Sequence, residues 1–199
     1  MKEGKKYEIV EDDFILHEGR KLYRIRALRS FVTIRGYSIQ KGELGGYVEG
    51  YHNLSQVFDC WIYGEAKVYG NAKIRYCARV EGIAEVYGNA IVKDSATISG
   101  TAKVYGNSVV GGPSTEVRGA SKVYDNAVIS NCSMILYNAE VYGNAVVEDN
   151  ARVRDFAKVY GNAVVKDGSD IYSDAKVYGN SEVIGGARVE EFDFFELIN

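Results

Sequence analysis

Histidine and proline are almost missing from this chain. Only His17, His52 and Pro113 represent them in 199 residues. Two histidines cannot make a three-histidine zinc site. No metal site and no cofactor is expected. Proline this scarce, beside 22 glycines, does not fit collagen or a disordered low-complexity chain. Cysteine is sparse as well. Cys60, Cys77 and Cys132 are an odd set without CxxC spacing, which reads as three reduced thiols in a cytoplasmic protein. The opening MKEGKKYEIVEDDF lacks the apolar run of a secretory signal. No apolar stretch approaches the ~18 residues that would span a membrane. A net charge of -3 gives no general attraction for nucleic acid or a membrane surface.

Tyrosine is in excess, with 16 residues against 7 Phe and 1 Trp. Its positions explain the excess. Tyr-Gly-Asn, or a near copy, begins at Tyr69, Tyr87, Tyr105, Tyr124, Tyr142, Tyr160 and Tyr178. The intervals are 18 residues, except for one of 19. Each interval holds three hexads, as in Ala66-Lys-Val-Tyr-Gly-Asn followed by Ala72-Lys-Ile-Arg-Tyr-Cys. From Cys60 to Phe192 the frame runs for 22 hexads plus one residue, and the extra residue falls at Gly111-Gly112-Pro113-Ser114.

A small residue, any residue, a branched apolar residue and any residue alternate with the period of a strand. Gly-Asn or a similar pair then tolerates the positive φ of a sharp corner. Three short strands and three corners per 18 residues predict a triangular coil. Coils stacked at the spacing of neighbouring strands, ~4.8 Å, give about seven turns. The fold class expected is therefore all-β, a parallel β-helix with small and branched residues inside.

Val68 with Ala72, Ile74 with Ala78, and Val141 with Ala145 carry a branched residue followed four positions later by a small one. This pattern resembles the hexapeptide repeat of left-handed parallel β-helix proteins, and the resemblance implies a left-handed coil. Tyr23-Arg-Ile-Arg-Ala-Leu, Lys41-Gly-Glu-Leu-Gly-Gly-Tyr-Val-Glu and Asn53-Leu-Ser add a narrower likeness, to phage and prophage hexapeptide-repeat proteins often labelled acyltransferases on fold alone. Fold does not fix function.

Residues 1–47 do not follow the hexad. Their short strands predict a β-hairpin or small sheet, assigned as an amino-terminal cap, because an open solenoid end exposes strand edges and core. Residues 48–192 are assigned to the β-helix, with 48–59 as an irregular first coil. Residues 193–199 are assigned as the opposite cap through Phe194, Phe195, Leu197 and Ile198. Arg20, Lys21, Arg24 and Arg26 form a basic run, read either as an anion contact or as a solvated strand face balanced by nearby acids.

Aligning the coils at 18 residues predicts three outward faces. Face one carries lysines and glutamates beside the tyrosines. Its ladder reads as structural stacking of rings and of the following asparagines, with a platform for bases or sugars as the alternative. Face two points Ile91, Val109, Val128, Val146 and Val164 outward. Together with Tyr87, Tyr105, Tyr124, Tyr142 and Tyr160 they form a candidate apolar interface. Face three reads as ordinary solvated surface. The resemblance makes a homo-oligomer, trimer or dimer, the first expectation.

As the resembled family is known, acyl transfer depends on a histidine base and acyl-coenzyme A bound between subunits. No histidine follows His52, and the only insertion is one residue. His52 is the sole weak catalytic candidate, with His17 behind it. The reading is a non-enzymatic phage-type solenoid in the host cytoplasm that binds a host protein or a small-molecule ligand, an inhibitor of host immunity among the options. Acyl transfer and a virion structural role are the alternatives.

Overall fold

The computed structural model describes residues 4–190, which are all-β and contain no helix. Phe194, Phe195, Leu197 and Ile198, expected to form the carboxy-terminal cap, lie outside those residues. From about residue 44 the chain winds as stacked parallel coils. Each coil contributes one two-residue rung to each of three sheets. Faces one and three each have eight rungs, and face two has seven. A lone bridge between Leu54 and Ile74 supplies one more on face two. The irregular stretch after residue 48 thus completes a coil, giving about eight.

The rung pattern follows from the hexad. Val68, Val86, Val104 and Val123 stack in register on face one, all fully buried. The small residue two positions earlier is also buried, because the corner leaves no room for more. Serine replaces alanine at several of these positions. Ser108 donates to the Tyr105 carbonyl (2.8 Å) and Ser169 to the Lys166 carbonyl (2.7 Å), three residues back, which satisfies the buried hydroxyl locally; the buried Ser133 hydroxyl has no such partner. Gly106 shows why a corner needs glycine. Its φ is +72°, and a Cβ there would lie 2.7 Å from the backbone nitrogen of Asp125 in the next coil. The inserted residue at Gly112-Pro113 bulges from a corner without disturbing register, since Thr97 still pairs with Glu116.

The amino-terminal region closes the first coil. Strands β1 (Tyr7–His17) and β2 (Arg20–Ala27) form an antiparallel hairpin with a bulge between Val10 and Phe14. β2 then pairs antiparallel with a later strand, Leu44–Val48, which is itself the first rung of face one. The 47/48 boundary drawn from sequence falls inside that strand. Between them, β3 (Phe31–Val32) and β4 (Ser38–Ile39) form a second hairpin. Tyr7, Ile25, Phe31 and Ile39 join Trp61 and Ile62 in the solenoid core. Lys6 is buried there too, and its ammonium donates to the carbonyls of Phe58 (3.1 Å) and Cys60 (2.8 Å). Burial pushes its pKa below the usual lysine range, against the opposing pull of Cys60.

Candidate functional site

The seven tyrosines form one continuous stack. Ring centroids are 4.8–5.3 Å apart, and all but the last pair lie within 5° of parallel. Beside them the asparagine amides donate coil to coil from Asn71 through Asn180, at 2.9–3.1 Å. Each interior ring has both faces covered by its neighbours, so only ring edges and hydroxyls meet solvent. Bases or sugars have no open ring face between rungs. Burial disfavours the phenolate, raising the pKa of Tyr87 to about 12 and pushing Tyr105 and Tyr142 up as well.

The charged row of face one is paired along the axis. Lys122 donates to Glu140 at 3.0 Å, and Lys158 approaches the same carboxylate at 3.6 Å. Burial works against the charge on Glu140, but the two lysines outweigh it and hold its pKa below the usual carboxylate range.

The first hairpin overhangs the start of the tyrosine stack. Leu22 packs with Tyr47 and Tyr69 in a small cluster of their own. His17 sits edge-on to Tyr69 at 5.2 Å. Its Nε2 is 3.5 Å from Glu85, close enough for ionic attraction and too long for a good hydrogen bond. Glu85 also accepts from Tyr69 (3.1 Å) and attracts Lys103 (3.6 Å). His52, the catalytic candidate, is exposed and donates through Nε2 to the Gly70 carbonyl at 2.7 Å. The two histidines therefore belong to different local arrangements. Among the described residues, no three His, Cys, Asp or Glu side chains gather as a metal site. The three cysteines are free, Cys60 buried and the others half-buried.

The basic run is largely spoken for. Arg20 pairs with Glu49 at 2.9 Å, Arg26 with Glu8, and Arg24 with Glu65 (3.1 Å) and Asp13 (3.6 Å). Lys21 lies over the Phe14 ring at 4.4 Å. An anion at this site competes with those carboxylates. Glu49 and Glu65 come from the first coils, so the pairing was hidden in a sequence that showed only the basic strand.

Face three is not plain solvated surface at its amino-terminal end. The β3–β4 hairpin lies against it. Arg79 is 5% exposed, stacked on Tyr37 (4.0 Å) and near Tyr63 (5.0 Å), and Arg35 reaches Glu116 (3.5 Å). An outward-pointing arginine gave no sign that another segment would cover it.

Face two keeps its stripe. Ile91, Val109, Val128, Val146 and Val164 are consecutive partners in one sheet. Lys73 precedes them and Glu182 follows. The five are half-buried, shielded along the sheet by one another. Among the described residues, the polar and ring contacts of the two hairpins fall on faces one and three and on the first coils, not on this stripe. The chain matches no protein-family model and no curated protein.

Proposed function

We propose that this protein is a non-enzymatic binding scaffold whose working surface is the stripe of face two, edged by the tyrosine stack. One observation carries the reading. The first amino-terminal hairpin extends the sheet of face one and reaches its first tyrosine, the second lies against face three, and five β-branched side chains in register stay uncovered by either on face two. Side chains of this kind on a solvated sheet face gain by covering one another and gain again when a partner completes the burial. The phage-type likeness makes a host protein, an immunity factor included, the partner class to try first. Comparing the proteins retained by the wild type and by Val128→Lys/Val146→Lys tests the reading. A partner lost from the folded double variant supports it, and equal retention by both contradicts it.

Acyl transfer is the second reading, favoured only by the approach of His17 to Glu85. It requires His17 or His52 to leave its present neighbours and meet a substrate. Stabilisation by acetyl-coenzyme A, with turnover lost in His52→Ala or His17→Ala, decides for it.

A further inference from the structure

The stripe of face two is bounded by opposite charges. Lys73 heads it, Glu182 closes it, and Val128 is the middle of its seven rungs. Among the described residues Lys73 has no ion-pair partner. Glu182 receives Lys166 from the neighbouring coil at 2.7 Å. The order of side chains is thus nearly self-complementary on reversal: cation, five apolar residues, anion.

We infer that face two pairs with face two of a second copy, the solenoids antiparallel about a two-fold axis that passes by Val128. This rests on the reading of face two as a docking surface and names its occupant. In an isologous interface each residue meets the residue related to it through the axis. Antiparallel pairing lays stripe on stripe, with Lys73 of each copy over Glu182 of the other. Any arrangement with parallel solenoids, two-fold or three-fold, brings equal rungs together instead. It sets Lys73 beside Lys73 and Glu182 beside Glu182, which is unfavourable. The charge pattern therefore selects the dimer over the trimer. One contact opposes it, since Lys93 faces Lys166 across the antiparallel interface. The bond from Lys166 to Glu182 moderates that repulsion.

The dimensions fit a reversible dimer. Six rung spacings of ~4.8 Å give a face ~29 Å long, and a five-residue span is ~17 Å wide. Two such faces bury ~1,000 Å² in all, at the lower bound for a specific interface. Interfaces at this small end of the range are the weak and transient ones, so association in the micromolar range is expected.

Three measurements test the pairing. Sedimentation from ~1 to ~200 µM should show a monomer–dimer equilibrium. Lys73→Glu and Glu182→Lys should each weaken it about tenfold, with two symmetry-related pairs lost per dimer. The double variant should recover part of it: the end pairs are reversed in sign and attract again, but Lys166 has lost Glu182 and faces Lys93 of the other copy unmoderated. Cysteine placement fixes the register. In a Cys77→Ser/Cys132→Ser background, Val128→Cys should link to itself through a thiol reagent that spans one sheet-to-sheet gap. Ile91→Cys should link to Val164→Cys of the other copy and not to itself, since antiparallel pairing holds the two Ile91 positions about 19 Å apart along the axis. A monomer at every concentration overturns the inference. So does Ile91→Cys linking to itself as readily as Val128→Cys, or a double charge variant no better than the singles. If the wild type is monomeric yet a partner is lost on Val128→Lys/Val146→Lys, self-pairing falls and the docking surface stands.

Discussion

Faces one and two are built from the same two-residue rungs around the same core, and their surfaces are completed in opposite ways. On face one, Lys122, Glu140 and Lys158 pair along the axis, and the tyrosines stack ring on ring. The first hairpin then covers Tyr69, which is 3% exposed. That face satisfies itself within one chain. On face two the same outward position is apolar for five coils, and the two hairpins leave it open. Identical backbone geometry thus carries both a closed surface and an open one. The choice of side chain at the two outward hexad positions separates them, Lys or Glu with Tyr on face one against Ile or Val with mixed residues on face two, together with where the amino-terminal segment lies down.

The widest contrast is between the two residues of a single rung. Ile129 points inward and is fully buried, while Val128 beside it points outward. Ile129→Ala should cost about 2–5 kcal/mol through lost burial and a cavity, measured by denaturant unfolding. Val128→Ala should change the stability of the monomer by less than about 1 kcal/mol. Similar losses for the two would break the inside–outside assignment.

Tyr124 probes the closed surface. Tyr124→Leu removes two ring contacts and should cost about 1–3 kcal/mol, at roughly 0.5–1.5 kcal/mol per aromatic pair. Tyr124→Phe keeps the stack and should lie close to the wild type. If Phe is as damaging as Leu, the hydroxyls hold face one together rather than the rings.

The tyrosines also give the closed face a pH limit. The pKa of Tyr87 is raised by burial to about 12, above the ~10 of an unfolded tyrosine. The unfolded state therefore releases its proton first as pH rises. The stability that comes from keeping the phenol neutral is full below pH ~10 and is lost as pH climbs toward 12. Phenolate absorbance should lag behind that of a free tyrosine and then rise together with unfolding. The valines titrate nothing, so the stripe itself should add nothing to this alkaline loss; on face two only a contact such as Lys166 with Glu182, which holds the lysine above its usual range, weakens as pH rises.

The smallest expected effect is at Asn107, whose amide bonds Asn89 and Asn126 in an exposed ladder. Asn107→Ala should cost about 1 kcal/mol or less, seen as a small shift in melting temperature.

The solenoid was legible because one coil equals one 18-residue interval, so spacing in the chain maps directly onto contact in space. The tyrosine stack, the asparagine ladder, the valine stripe and the corner that absorbs Pro113 all follow from that equality. Contacts without a period were not legible. Tyr37 lies on Arg79, 42 positions later, and His17 reaches Glu85, 68 positions later. Nothing in the alternation of Leu22 to Ala27 says which solenoid carboxylates its arginines will meet. The extra first coil was hard to read for a related reason: Leu54 holds its place on face two through a single bridge without a full hexad around it.

Sedimentation of Val128→Lys/Val146→Lys beside a face-three control, Met134→Lys, tests most directly whether face two is the surface through which the chain pairs with itself. The account predicts that wild type and control associate alike, and that the face-two variant remains a folded monomer at the highest concentration. Association of the face-two variant at wild-type strength would contradict it.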